Sequence, residues 1–256
     1  MTRIQEVFAH GKAFIPFVTA GDPNLDITEQ LVLEMAKAGA DLIELGIPFS
    51  DPVAEGIVIQ KADERALAAG TTTDKIFEMV HRIREKSSVP LAFMTYANPI
   101  FVYGADKFLN NCSICGIDAV IVPDLPFEEK NEIFPYCEKY GVALISLIAP
   151  TSKERIGMIA AQAQGFVYCV SSIGVTGVRS EITTDIAQMI SLVKAAQDIP
   201  CAVGFGISTP EQAKTMAQDA DGVIVGSAIV KLIEKYGKNC VEPVRDYVVK
   251  MKHAIS

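Results

Sequence analysis

Glu44 is the residue with the clearest chemical implication. It lies in the apolar segment 41–46 (DLIELG), which is typical of a buried strand, and the two-residue period of a strand places Leu42, Glu44 and Gly46 on one face. Because the segment supplies no cation, burial would raise the pKa of Glu44 toward neutrality. Such a carboxyl is suited to general acid and base catalysis. The alternative is a glutamate capped by hydroxyl groups or by water.

Glycine-rich segments follow three of the predicted strands and indicate a phosphate site. They are residues 174–177 (GVTG), 204–208 (GFGIS) and 226–228 (GSA). Glycine lets an anion approach main-chain N–H groups closely, although a single glycine at a strand end usually marks only a turn. Three such segments after the sixth, seventh and eighth strands favour a bound phosphate group.

Further polar and aromatic residues could complete such a site. The segment 48–56 (PFSDPVAEG) offers Asp51 and Glu55, but acidic residues in loops are usually solvated. The site would also need an apolar pocket large enough for an aromatic ring. Six residues could line such a pocket, although packing in the core would account equally well for each of them. These candidates are Phe17, Met94, Tyr96, Ile121, Tyr168 and Phe205.

Residue types that are missing narrow the chemistry. The histidines, His10, His81 and His253, lie outside the predicted strands, which argues against a histidine triad or a histidine metal cluster. No lysine falls within a predicted strand, so carbon–carbon cleavage through a Schiff base is not expected. Proton transfer by carboxylates on a phosphorylated, partly apolar substrate remains.

The elements that must position these residues form a regular pattern. Eight short apolar segments alternate with helical patterns, which predicts a single (β/α)8 TIM barrel of the α/β class over residues 1–256. We expect extra helices in the N-terminal segment, after strand two and at the C-terminus. Residues 142–150 are predicted to form one strand, and residues 128–140 one helix. The predicted strands are residues 13–19, 41–46, 90–96, 118–124, 142–150, 165–171, 200–206 and 222–226.

Composition limits the partners and the compartment. The net charge of −8 repels nucleic acid and anionic membranes. No apolar run is long enough to span a bilayer, and the N-terminus does not resemble a signal peptide, so we expect a cytoplasmic protein. Cys112 and Cys115 form an isolated C-x-x-C pair, which is interpreted as structural because no second pair or histidine accompanies it.

The chain resembles the tryptophan synthase alpha chain family over essentially its whole length. The resemblance rests on an ordered set of motifs: PFVTAGDPN, LIELGIPFSDP, YANPIFVYG, DAVIVPDLPFEE, GFVYCVSSIGVTG, VGFGISTPEQ and GVIVGSAIVK. It implies a (β/α)8 barrel that cleaves indole-3-glycerol phosphate to indole and glyceraldehyde 3-phosphate without a cofactor of its own. The family passes indole through a tunnel to a beta chain that holds pyridoxal phosphate, in an α2β2 heterotetramer.

The resemblance also implies roles for individual residues. Glu44 matches the glutamate that transfers the proton, and Glu55 the acid that stabilises the indole N–H. Tyr168 matches the active-site tyrosine of the family, and Thr176 a threonine that helps to close the site. The residues that match the phosphate-binding positions are Gly177, Gly206, Gly226 and Ser227. The residues that match the indole pocket or lie beside the phosphate are Phe17, Ile59, Tyr96, Ile121, Asp124 and Phe205.

Two positions depart from the family pattern. Glu55 stands where the family usually has an aspartate, and one additional methylene can move a carboxylate by about 1.5 Å. Ser172 stands where some members have an arginine in the sixth loop. The resemblance places the partner surface around Pro48, Asp51 and Asn98, and it predicts slow cleavage by the isolated chain and faster cleavage in the complex.

Two other interpretations are compatible with the scaffold. One is another phosphate-binding barrel enzyme, such as a phosphosugar isomerase or a prenyltransferase, although Glu44 beside an apolar pocket argues against it. The other is a non-catalytic allosteric activator of the beta chain, in which Glu55 marks decay of the site. The presence of Glu44, Tyr168 and the phosphate glycines argues against decay.

Overall fold

The computed structural model describes residues 3–150, 153–170, 186–204 and 206–256. The strands are β1 (Ala13–Thr19), β2 (Ile43–Gly46), β3 (Leu91–Met94), β4 (Ala119–Ile121), β5 (Ala143–Leu144), β6 (Ser146–Ile148), β7 (Val167–Val170), β8 (Cys201–Gly204) and β9 (Gly222–Val225). The helices are α1 (Arg3–Glu6), α2 (Leu25–Lys37), α3 (Ile57–Ala68), α4 (Thr73–Arg84), α5 (Ala97–Tyr103), α6 (Ala105–Cys115), α7 (Phe134–Tyr140), α8 (Lys153–Ala160), α9 (Ile186–Ala196), α10 (Pro210–Asp219), α11 (Ser227–Tyr236) and α12 (Val241–Ile255). Two 3-10 helices span Phe127–Glu132 and Gly237–Asn239.

The strands form a parallel sheet in the order β5-β4-β3-β2-β1-β9-β8-β7-β6. Its two edge strands, β5 and β6, are consecutive in the chain and only Ile145 separates them, so the covalent chain closes the sheet into a barrel. The predicted TIM barrel is confirmed. The carboxyl ends of all the strands therefore meet at one mouth, which is where barrel enzymes carry their active sites.

Strand five differs from the expectation of one continuous strand. Its first part, β5, pairs with β4, and its second part, β6, pairs with β7. The exchange of partner takes place at Ile145, whose N–H still donates to the carbonyl of Val120 at 2.9 Å.

The predicted helix 128–140 is also divided. The structure has the 3-10 helix Phe127–Glu132 and then α7, with Pro135 in the first turn of α7. Because proline lacks an N–H and its ring clashes with the carbonyl four residues earlier, an α-helix cannot run regularly through this position.

Side chains alternate between the barrel interior and the layer beneath the helices. The interior is filled by apolar residues that include Ile15, Leu42, Ile121, Tyr168 and Ile224. The opposite faces of the strands pack against the helices in larger clusters. The alternation places Glu44 on the inward face, as the two-residue period predicts.

Helices occupy all three positions where additional ones are expected. They are α1 before β1, α3 between β2 and α4, and α12 after α11, where α12 packs against α2, α10 and α11. The α3 helix matters for the site because it follows β2 after the β2–α3 loop (residues 47–56) and packs against β1 and α11. Within the described part of the chain, none of the helices has the length and apolar character needed to cross a membrane.

Candidate active site

A cavity of about 460 Å³, a volume that includes its open side, lies at the carboxyl ends of the strands. It combines buried carboxyl groups, apolar side chains and glycines, which are the three features that the sequence places at strand ends. The lining residues are Phe17, Glu44, Glu55, Ile59, Met94, Tyr168, Gly206, Ile207, Ile224, Gly226 and Ser227.

Glu44 lies at the base of this cavity on β2, in register with Phe17 of β1 and Ala92 of β3. Its side chain is fully buried, and neither carboxyl oxygen has a hydrogen-bond partner among the described residues. Burial, reinforced by the negative charge of Glu55, raises the pKa of Glu44 to about 8. At neutral pH, Glu44 is therefore protonated and can donate a proton to a molecule in the cavity.

Glu55 lies in the β2–α3 loop, yet it is only 6% exposed. The loop is held on both sides of it: the Ala54 N–H donates to the hydroxyl of Tyr96 at 3.0 Å, and Gln60 Nε2 donates to the Glu55 carbonyl at 2.7 Å. Glu55 is therefore not the solvated loop acid that its position alone would suggest. Asp51 of the same loop is exposed.

Tyr168 projects from β7 into the cavity and lies against the end of β8. A Cβ atom added at Gly204 would lie 2.4 Å from its hydroxyl oxygen, so the glycine is needed for the tyrosine ring to fit. Burial and the charges of Glu44 and Glu55 raise the pKa of Tyr168 well above its ordinary value. Its hydroxyl therefore keeps its proton and is suited to donate a hydrogen bond.

Glycines and a helix start form the opposite end of the cavity. Gly206 has φ +87°, in the left-handed region that favours glycine, and α11 begins at Ser227 directly after Gly226. First-turn N–H groups of a helix have no acceptor within the helix, and the helix dipole adds partial positive charge there. This end of the cavity is therefore suited to bind an anion such as phosphate.

Three predicted site residues that the structure describes do not line this cavity. The Tyr96 hydroxyl accepts a hydrogen bond from the Ala54 N–H and lies outside the cavity, and Ile121 packs in the barrel interior. Asp124 Oδ1 accepts the Ala97 N–H at 2.9 Å and so caps α5. Burial and the charge of Glu55 raise the pKa of Tyr96 above its usual range. Three further predicted residues, Thr176, Gly177 and Phe205, lie outside the described residues, as does Ser172.

The sequence did not single out Ile207, Ile224 or Asp63. Ile224 follows from the two-residue period of β9, because it shares the inward face with Gly222. Asp63 is a third buried carboxyl next to the site, four residues after Ile59 on α3 and 5% exposed. The four-residue spacing puts both side chains on one helix face, which is the signal that could have identified Asp63.

The part of the chain described by the structure holds no group of three or more histidine, cysteine, aspartate or glutamate side chains that could bind a metal ion. All six cysteines are buried free thiols, and Cys112 and Cys115 belong to the core beneath α6. Burial in this apolar cluster is the environment expected of small hydrophobic side chains, and a structural role for the pair stays an interpretation.

Comparison with known proteins decides the family. A model of the family described as tryptophan synthase alpha chain matches residues 5–256. The chain belongs to the tryptophan synthase alpha chain family. The tryptophan synthase alpha chains of Lacticaseibacillus casei and Lactiplantibacillus plantarum are 46% and 49% identical to it, and each alignment covers 100% of this chain and 96% or 97% of the relative.

Solved structures of the family agree with this assignment. Tryptophan synthase subunit alpha from Legionella pneumophila is 37% identical with a TM-score of 0.90, and the match covers 100% of this chain and 98% of that one. A structure of the tryptophan synthase α2β2 complex from Pyrococcus furiosus matches with a TM-score of 0.87 and 36% identity, covering 95% and 99%. As a member of the tryptophan synthase alpha chain family, this protein is a carbon–carbon lyase that cleaves indole-3-glycerol phosphate in tryptophan biosynthesis.

Proposed function

We propose that the cavity binds indole-3-glycerol phosphate with its indole ring between Glu44 and Glu55 and its phosphate at Gly206, Gly226 and Ser227. The observation that carries this proposal is Glu44, a fully buried carboxyl group that has no hydrogen-bond partner among the described residues and lines the cavity. A buried polar group left in this state is costly, and a substrate that supplies a partner offsets part of that cost. Gly177, Thr176 and Phe205 remain proposed members of the same site.

The reaction breaks the bond between ring carbon C3 and the adjacent hydroxyl-bearing carbon of the glycerol chain. Glu44 donates its proton to C3, and its carboxylate then accepts the proton of the substrate hydroxyl as the aldehyde forms. The hydroxyl proton thus replaces the one transferred to C3, so Glu44 is regenerated and no cofactor is consumed. A carboxyl group with a pKa of about 8 is close enough to neutrality to act in both directions.

Glu55 and Tyr168 stabilise the intermediate in this scheme. Protonation at C3 gives the ring nitrogen positive character, and the carboxylate of Glu55 accepts a hydrogen bond from the ring N–H. The Tyr168 hydroxyl retains its proton and donates a hydrogen bond to an oxygen atom of the molecule bound in the cavity. Ile59 and Phe17 pack against the ring, while Tyr96, Ile121 and Asp124 support the pocket from outside the cavity.

We also propose a beta-chain partner that holds pyridoxal phosphate, in an α2β2 assembly. Four exposed apolar side chains near the mouth support this proposal because such groups are typical of protein interfaces. They belong to the β2–α3 loop, the start of α3, and α5: Val53 is 74% exposed, Ile57 63%, Phe101 46% and Val102 80%. Of the partner residues expected from the sequence, Asp51 and Asn98 are exposed and Pro48 is buried.

The chain is further proposed to form one domain over residues 1–256 and to act in the cytoplasm. The alternation of strands and helices continues through the described part without a linker segment, which supports the first statement. Reducing conditions in the cytoplasm fit six buried free thiols, which supports the second.

The test of the proposed function is indole release from indole-3-glycerol phosphate by the purified chain, with and without a beta chain. We expect slow release by the chain alone, faster release in the complex, and loss of release in Glu44→Gln. Glu78→Gln is the control, because Glu78 is an exposed glutamate on α4. Substrate binding without any indole release, even in the complex, would instead support the activator role.

A further inference from the structure

The segment 206–209 lies between β8 and α10 and forms one side of the proposed phosphate site. Gly206 and Ile207 line the cavity, whereas Ser208 does not. Gly206 has φ +87°, and a glycine can leave such a conformation as easily as it adopts it. A phosphate group bound to the main chain here would have to order the segment, and that ordering would reduce the affinity. Contacts that hold the segment in advance therefore favour phosphate binding.

Ser208 is the residue at which the segment is held. Its N–H and its hydroxyl both donate to Gln212 Oε1, at 2.8 Å and 3.0 Å, and its carbonyl accepts a hydrogen bond from the Tyr247 hydroxyl at 2.9 Å. Gln212 lies in the first turn of α10, where it forms a capping box with Thr209. Ser208 is therefore fixed from two sides, two residues after Gly206.

Tyr247 reaches the segment from α12, 39 residues further along the chain. It shares one face of α12 with Val244 and Val248, which are buried in the same apolar cluster as Ile207. The Tyr247 ring packs against this cluster. Burial raises the pKa of the Tyr247 hydroxyl above its ordinary value, so the hydroxyl keeps its proton and can donate. The ring thus contributes to packing, and the hydroxyl makes the hydrogen bond to Ser208.

The α12 helix is itself attached to the barrel at a second place. Near its end, Lys252 Nζ donates to the carbonyl of Lys12 at 3.0 Å and pairs with Asp41 at 2.8 Å. The helix also packs against α2, α10 and α11, and α11 is the helix whose start forms the other part of the proposed phosphate site. The position of Tyr247 is therefore set by contacts that do not involve the segment 206–209.

We propose that Tyr247 is a positioning residue for the substrate phosphate: its hydroxyl holds the carbonyl of Ser208 and so keeps the main chain of Gly206 and Ile207 in the conformation that receives the phosphate group. The inference rests on the proposed function, of which the phosphate site is a part. Because the phosphate group does not react, its contacts are the same in the bound substrate and in the transition state. Loss of the Tyr247 hydroxyl should therefore weaken substrate binding and leave the chemical step unchanged.

Tyr247→Phe isolates this hydrogen bond, because it removes the hydroxyl and keeps the ring. In assays of indole release by the complex, loss of one uncharged hydrogen bond should raise the Michaelis constant for indole-3-glycerol phosphate about three- to tenfold. The turnover number kcat should stay within about twofold of the wild type. Tyr236→Phe is the matched control, since Tyr236 is an exposed tyrosine at the last residue of α11, and it should change neither constant.

Two partial ligands distinguish positioning of the phosphate from a general structural role. Glycerol 3-phosphate carries the phosphate group without the ring, and indole carries the ring without the phosphate group. In binding measurements, Tyr247→Phe should weaken glycerol 3-phosphate about three- to tenfold and leave indole unchanged. Val248→Ala removes packing from the same face of α12 and leaves the hydroxyl in place. It should lower the melting temperature without changing the affinity for either ligand.

Thermal unfolding of each variant shows that the comparison is made on folded protein. Three results would each overturn the inference: an unchanged Michaelis constant in folded Tyr247→Phe, an equal loss of indole and glycerol 3-phosphate binding in that variant, or an equal weakening of glycerol 3-phosphate by Val248→Ala. Absence of indole release by the wild-type complex would instead overturn the proposed function.

Discussion

Replacing Glu44 with glutamine should strongly reduce cleavage and at the same time stabilise the protein. The unfolded chain releases the Glu44 proton near the ordinary pKa of 4.5, whereas the folded chain retains it up to about pH 8. Because the folded state has the higher pKa, wild-type stability falls as the pH rises from about 4.5 to about 8. Glutamine has the same size and no ionisation, so the variant escapes this loss.

The magnitude follows from the two pKa values. At pH 7 the unfolded chain lies 2.5 pH units above the ordinary pKa of 4.5, and at about 1.4 kcal/mol per unit this corresponds to about 3 kcal/mol. At pH 5 the same relation gives less than about 1 kcal/mol. For a protein of this size, about 3 kcal/mol raises the melting temperature by about 6–12 °C.

The assay is thermal unfolding of wild type, Glu44→Gln and the exposed control Glu78→Gln at pH 5 and at pH 7, together with indole release at pH 7. We expect a large gain in melting temperature for Glu44→Gln at pH 7, a small gain at pH 5, and none for the control. Cleavage by Glu44→Gln should fall by about 10² to 10⁴ because the proton donor is lost. A gain that is absent at pH 7, or equal at both pH values, would refute the reasoning about burial.

Three further results are expected. Glu55→Gln should lower turnover and move the alkaline limb of the pH profile to lower pH, because one of the two causes that raise the pKa of Glu44 is removed; an unmoved limb would contradict this. Gly204→Ala should lower kcat and cost about 1–3 kcal/mol of stability, since the added methyl group would meet the Tyr168 hydroxyl, and urea unfolding with indole assays would detect both. Asp22→Asn should cost about 2 kcal/mol in the same urea assay, because Asp22 is 1% exposed and Arg65 would lose its carboxylate; unchanged stability would show that the pair contributes little.

Much of this architecture follows from the spacing of apolar residues along the sequence. The eight apolar segments predict the barrel because a strand covered on both faces needs an unbroken apolar run, and the inward direction of Glu44 follows from the two-residue period alone. The sequence does not reveal the division of strand five at Ile145, since the exchange of partner depends on neighbouring strands. Pro135, in contrast, was a local signal that the helix 128–140 would be interrupted.

Burial of acidic residues outside strands is the part that sequence reasoning misses. Glu55 is interpretable as a solvated loop acid until the loop is seen folded against Tyr96 and Gln60. Asp63 has a helix-face signal but no chemical one, because its hydrogen bond from Thr19 comes from β1, a distant part of the chain. The electrostatic environment of both residues is set by tertiary structure, which local patterns do not encode.

The exchange of partner at Ile145 bears on how easily different parts of the barrel wall open. Neighbouring strands share a ladder of hydrogen bonds from β5 through β1 to β6, and among the described residues the two ends of this order meet at Ile145, where the main chain joins them. We therefore expect local opening of the barrel wall to be easiest at strand five. The β1–β2 side, which carries Glu44, lies opposite this seam in the order of strands. Amide hydrogen exchange should therefore be slower on the β1–β2 side than at strand five. Local opening at strand five would then leave the position of the Glu44 carboxyl group unchanged.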